Sequence, residues 1–209
     1  MFFETWLSFF VVAWGISLSP GPAAIASLSA GISWGWRRSI FQTMGLVCGI
    51  GVQVLIIAVG VGALIAASPL AFNAVRFFGA LYLIWIGVSQ WRAQAKAVVS
   101  AQDASISKEA TNFQIFCRGL LINATNPKGT VFFLALLPHF IDPQEPMAIQ
   151  YLILGATVGF TDSCVMTGNT LIGAALLGYL RSPAHVLVLN RIFGTMFILA
   201  GLFVLSFGR

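Results

Sequence analysis

Asn123-Ala124-Thr125-Asn126-Pro127-Lys128-Gly129 interrupts one long apolar segment, and Ser17-Leu18-Ser19-Pro20-Gly21-Pro22-Ala23 interrupts another. A proline inside a helix removes one hydrogen bond and clashes with the carbonyl four residues back. The carbonyls set free are those of Ile16, Leu18 and Asn123. In lipid such a break survives only where protein or a water-filled cavity satisfies the freed groups. Interrupted segments at corresponding places in two halves of a chain are the sequence mark of a midplane binding site. A plain proline kink is the simpler reading of either break alone. A Pro-Gly-Pro and an Asn-Pro-Lys at related positions favour a site.

Composition sets the solvent. Of 209 residues, 58% are hydrophobic and 8% charged, against about 25% charged in a soluble domain. The chain reads as an all-α integral membrane protein. Six stretches are long enough to cross a hydrocarbon core of roughly 30 Å, at about 5–29, 39–67, 71–90, 112–138, 147–178 and 187–207. The first reads as a retained helix, because Glu4 stands where a signal peptide carries basic residues. Pro69 is suited to start the third helix. A polar linker at about 93–111 divides a single transmembrane domain, 1–209, into repeats of about 1–92 and 112–209.

The basic residues give orientation. Arg37, Arg38, Arg92, Lys96, Lys108, Arg118, Arg181 and Arg191 fall on the first, third and fifth loops or their flanks. The other side has Arg76, Arg209 and an acidic loop with Asp142 and Glu145. Positive loops face the cytoplasm, so both termini are expected outside it. The net charge of +5 is too scattered for a nucleic-acid surface. The halves also repeat. Arg76-Phe77-Phe78-Gly79 and Arg191-Ile192-Phe193-Gly194 each follow a Ser-Pro, at Ser68-Pro69 and Ser182-Pro183. Three helices per half is an odd number, so the second half is expected to insert upside down. Pro20 and Pro127, each about 15 residues into its span from opposite faces, then meet near the midplane.

Two charges stand out within the expected spans. A lysine at a helix centre costs roughly 2.5–3.5 kcal/mol, so Lys128 is either half of a structural ion pair or an anchor for a substrate carboxylate. Asp162 is the sole acidic residue inside a span. Beside a lysine it can pack as a paired carboxylate, carry a proton or bind an ammonium. Gln53, Asn123, Thr125, Asn126 and Asn169 are lesser candidates, since intramembrane amides often only hold helices together. Gly45, Gly49 and Gly51 read as close-packing positions, and His139 and His185 as interfacial. Cys48, Cys117 and Cys164 lie apart from the breaks with no CxxC spacing, which argues against a redox relay. No nucleophile elbow, P-loop or His/Cys metal spacing is present. The expectation is therefore no enzyme, no cofactor and no metal, with coupling to an ion gradient. A passive channel or structural subunit is the rival.

SLSPGPAAI (17–25), ALYLIWIGVSQWRA (80–93), NATNPKGTVFFLALLPHFIDP (123–143) and NRIFGTMFILAG (190–201) together resemble the LysE/RhtB family of bacterial amino-acid exporters. The similarity is greatest to its homoserine, homoserine lactone and threonine branch. The resemblance implies a six-helix inner-membrane exporter, driven by protons and working as a homodimer in lipid. It gives Asp162 the role of an important buried acid. Gln53 stands where many relatives have histidine, and Asn169 where many have tyrosine. The expected substrate pocket draws on Pro20, Gly21, Pro22, Gln53, Asn123, Asn126, Pro127, Lys128, Asp162 and Asn169. Asp162 and Lys128 are the expected proton-coupling pair.

Overall fold

A computed structural model describes residues 3–93, 109–142, 144–173 and 183–206. Among these residues every regular element is a helix: α1 (Phe3–Leu18), α2 (Pro22–Ala67), α3 (Pro69–Arg92), α4 (Asn112–Ala124), α5 (Pro127–Leu136), α6 (Met147–Leu171) and α7 (Pro183–Ser206). A short 3-10 helix, Leu137–Phe140, continues α5. Lys96, Lys108, Arg181, Ser182 and Arg209 lie outside the described residues.

Local chemistry fixes the boundaries. Pro22, Pro69, Pro127 and Pro183 each open a helix, where the missing N–H would have had no partner anyway. α4 opens with a capping box. Thr111 Oγ1 accepts from the Gln114 N–H at 3.3 Å, and Gln114 Oε1 accepts from the Thr111 N–H at 2.8 Å. The 46 residues of α2 would run about 69 Å if straight, more than twice the hydrocarbon core. The helix is broken at Gly35, whose φ of 72° and ψ of 164° suit glycine alone. This divides it into arms of residues 22–34 and 36–67, with Arg37 and Arg38 just past the break.

Three helical stretches are long and apolar enough to cross a bilayer, at residues 22–60, 147–171 and 184–206. α4 and residues 127–140, bent by 50° at Thr125-Asn126, make a fourth if taken as one span. The described residues are therefore those of a helical membrane protein.

Packing follows from close approaches. α2 packs on α4 and α6, α3 on α7, and α1 on α6. A Cβ at Gly45 would fall on the Phe116 carbonyl, and one at Gly119 on the Gln42 carbonyl. Gly49 is equally tight against α4, its Cβ position 2.8 Å from the Leu120 carbonyl oxygen and the Ala124 nitrogen. Gly51 differs from expectation: a Cβ there meets nothing within 4 Å, because it faces a groove between α2 and α6. Where α3 and α7 cross, Gly87 faces Gly194 and Gly201 faces the Ala80 carbonyl. Phe9, Ile50, Leu83, Phe132, Leu154 and Phe197 share one buried core between these helices.

Replacing Gly45 with leucine should overpack the α2–α4 crossing and cost about 1–3 kcal/mol. Gly51→Ala should be neutral or stabilise by up to about 1 kcal/mol through helix propensity. Thermal unfolding of the two variants in detergent, side by side with the parent, checks the contrast.

Candidate functional site

Helix α1 ends at Leu18, and the Ser19 N–H reaches back to the carbonyls of Gly15 and Ile16, both at 3.2 Å. The freed Ile16 carbonyl is thus satisfied locally. The carbonyls of Ser19 and Pro20, on the break itself, find a partner from the other half of the chain. Lys128 Nζ donates to Ser19 O at 2.9 Å and to Pro20 O at 3.4 Å. It also stands 5.4 Å from the centroid of the Phe197 ring, an attractive placement for a cation. The described hydrogen bonds of Lys128 Nζ therefore go to backbone dipoles and not to Asp162.

The second break is tied to α2. The freed Asn123 carbonyl accepts from the Asn126 N–H at 3.0 Å. Asn126 caps α5, its Oδ1 accepting from the Lys128 N–H at 3.1 Å. Its own carbonyl accepts from Gln53 Nε2 at 3.0 Å and from Thr130 Oγ1 at 3.1 Å. Gln53 Nε2 also donates to Thr130 Oγ1 at 2.8 Å. Two turns away along α2, Asn123 Nδ2 donates to the Leu46 carbonyl at 2.9 Å. Asp162 is placed from α6, which is joined to α1 by a 3.0 Å hydrogen bond between Ser17 Oγ and Thr161 Oγ1.

Between the breaks lies a cavity lined by Ser19, Gly21, Gln53, Asn123, Asn126, Lys128, Gly129 and Asp162, with apolar walls that include Ile50, Phe133 and Val158. Its volume is about 40 Å³. One water needs roughly 10–15 Å³ on that measure, so the cavity has room for about three or four. Three buried oxygens that line it have no hydrogen-bond partner: Ser19 Oγ, Gln53 Oε1 and Asp162 Oδ2. Their residues are 3%, 2% and 6% exposed. Such a group left unmade costs roughly 1–3 kcal/mol, so three in one cavity mark a place built for a guest. Gln53 and ionised Asp162 offer acceptors there, and the Ser19 hydroxyl can act either way. The set matches a donor-rich cation such as an ammonium. Gly129 leaves the room: a Cβ there would stand 2.8 Å from Gln53 Oε1. No group of three or more His, Cys, Asp or Glu occurs among the described residues that could hold a metal.

Of the residues expected from sequence, Gly21, Gln53, Asn123, Asn126, Lys128 and Asp162 line this cavity. Pro20 and Asn169 line an adjoining groove instead. Pro22 and Pro127 are exposed and line neither; each starts a helix. Sequence reasoning missed Ser19 and Gly129. Ser19 lies directly before Pro20 in the first break, and a hydroxyl beside a proline break is the signal that points to it. Cys48 and Cys164 are exposed and Cys117 is half-buried, and none lines the cavity.

Helices of membrane-spanning length, with proline breaks at residues 19–21 and 125–126 beside one small cavity lined by polar side chains, define a membrane protein of transporter build. The chain belongs to the LysE type translocator family, which matches residues 15–208, and it is accordingly a transporter and not an enzyme. It is 36% identical over 206 residues to the homoserine/homoserine lactone efflux protein of Salmonella typhimurium, covering 99% of this chain and 98% of that one. An uncharacterized membrane protein of Vibrio cholerae is 38% identical over 95% of each chain. The leucine efflux protein of Klebsiella pneumoniae is 29% identical over 92% of this chain and 91% of its own. No solved structure gives a significant match.

Replacing Asn126 with alanine removes the α5 cap and one wall of the cavity. The loss of the cap should cost about 1 kcal/mol, read as a lowered unfolding midpoint in detergent, while Thr125→Ala on the exposed side should cost less.

Proposed function

We propose that this chain exports small amino acids or close derivatives across the bacterial inner membrane in exchange for protons. The observation that carries the reading is the set of three unpartnered buried oxygens beside Lys128 in one cavity between the two breaks. An α-amino acid presents an ammonium with three N–H donors and a carboxylate. The ammonium suits Asp162 Oδ2, Gln53 Oε1 and Ser19 Oγ. The carboxylate suits Lys128, whose ammonium would leave the carbonyls of Ser19 and Pro20 to meet it. The names of the efflux relatives, for homoserine, its lactone and leucine, support the same substrate class.

Coupling follows from Asp162. Ionised, it accepts from the substrate ammonium. Protonated, it carries an O–H donor and loses its hold on that ammonium. Entry of a proton from outside would therefore release substrate outward and reset the carrier. Six spans in two inverted halves provide the movement, with α1 plus residues 22–34 forming the first span and α3 the third. Three pairings across the halves support this. Residues 36–67 pack on α4, residues 22–34 meet α6 where Gly31 faces Thr170, and α3 crosses α7. One half rocking against the other would open the cavity to each side in turn. The count of arginine and lysine side chains favours both termini outside the cytoplasm.

Export from exporter-deficient cells loaded with threonine, homoserine or leucine tests the reading. Asp162→Asn and Lys128→Met should each lower uphill export roughly tenfold or more, since each strands a charged partner. Export by the parent should collapse with an uncoupler. Full proton-dependent export by Asp162→Asn would sink the coupling role, and export that only follows the gradient of the amino acid would mean a channel.

A further inference from the structure

The cavity between the breaks is too small for a whole amino acid, and the structure places a larger space directly against it. A groove of about 690 Å³ runs between the start of α2, α3, α6 and α7, within the roughly 300–1,000 Å³ of small-molecule sites. We infer that this groove is the side-chain chamber of the substrate, and that it selects amino acids with uncharged side chains. The inference rests on the amino-acid reading above and adds to it where the rest of the molecule sits.

Continuity comes first. Gly21 and Ala24 line both the cavity and the groove. Neither carries an atom beyond Cβ, so the wall between the two spaces is the thinnest that side chains can make. Gly21 also lies against the lysine: a Cβ there would stand 3.4 Å from Lys128 Nζ. A head group held at Lys128 and Asp162 therefore has a short way out for its side chain, past Gly21 and Ala24. The other large groove, about 870 Å³ between α2 and α6, shares no lining residue with the cavity. It is an apolar trough without a route to the charges.

The lining gives the chemical class. Leu18, Trp85 and Phe193 present apolar and aromatic surface, while Gln90, Asn169 and Asn190 add amides. None of the described residues lining the groove is charged. An aliphatic or hydroxylated side chain is matched by such walls. A lysine or arginine side chain would be desolvated with no counter-ion to meet it, and burying an unpaired charge is strongly unfavourable. Phe193 sets the depth. It is 8% exposed, and behind it lies a smaller apolar space of about 70 Å³ against α1, which its ring separates from the groove. Shortening Phe193 should lengthen the chamber, and branching Ala24 should narrow its entrance.

The experiment measures export of threonine, leucine and lysine by the full-length protein in exporter-deficient cells, with the amount of protein in the membrane determined for each variant. One methylene in an apolar pocket is worth about tenfold or more in selectivity, which sets the scale. Phe193→Ala should raise the leucine-to-threonine export ratio by about that factor, and Ala24→Val should lower it. Trp85→Ala, a truncation on an exposed wall, should move the ratio in the direction of Phe193→Ala and serves if that variant fails to reach the membrane. Lysine should be a poor substrate throughout. Ratios that stay fixed in all variants that reach the membrane overturn the inference and leave the groove to lipid. So does export of lysine on a par with leucine. If the parent protein moves no amino acid uphill, the amino-acid reading falls first and the chamber with it; if the parent exports and only the ratios stand still, the chamber alone is wrong.

Discussion

The contact on which the structure turns is Lys128 Nζ against the carbonyls of Ser19 and Pro20. Two penalties meet there. A lysine inside a span costs roughly 2.5–3.5 kcal/mol. Two backbone carbonyls without partners cost roughly 1–3 kcal/mol each. Each is the remedy for the other, so breaks that would be expensive apart are tolerable together. The two halves of the chain are joined at their weakest points, and the join is made of main-chain oxygens on one side and a side-chain cation on the other.

The rest of the site hangs from the second break. Asn126 caps α5, and its carbonyl is gripped by Gln53 and Thr130. That grip uses the donors of Gln53 and turns its oxygen into the cavity without a partner. It works only because α2 and α4 approach at glycine distance, with Gly45, Gly49 and Gly119 against opposing backbone. Close packing is therefore what creates the unfilled acceptor. The same residues that stabilise the bundle leave the cavity polar and unsatisfied, a cost that makes sense only if something fills it.

Much of this was legible in the sequence, for a physical reason. Proline acts on its own helix, so the breaks at Pro20 and Pro127 and the helix starts at Pro22 and Pro69 are visible locally, while the last helix starts at Pro183, ahead of the expected 187. Lys128 and Asp162 were legible because charge is rare in lipid. What the sequence hid were partners. Backbone carbonyls leave no mark in a sequence, so Lys128 read as half of an ion pair or an anchor, when its described hydrogen bonds go to Ser19 and Pro20. Ser19 and Gly129 gain their meaning from what tertiary packing places beside them. Asn169, expected in the pocket from its polarity and from the resemblance, lines the groove next to the cavity. Gly35 is one of 21 glycines, and nothing local sets it apart from those that merely let helices touch.

On the exporter reading, the lysine contact also explains why a zwitterion would be chosen. A carboxylate that draws Lys128 away leaves the carbonyls of Ser19 and Pro20 open again. An ammonium arriving in the same cavity has three N–H donors to divide between those carbonyls and the unpartnered oxygens of Asp162, Gln53 and Ser19. A guest with both charges can thus replace the internal contact on each side, whereas an amine leaves the lysine where it is and an acid strands the first break. Occupancy of the cavity and the hold between the halves then become one equilibrium. Loading would loosen the tie between the halves at the moment when the carrier must move, and no separate trigger would be needed.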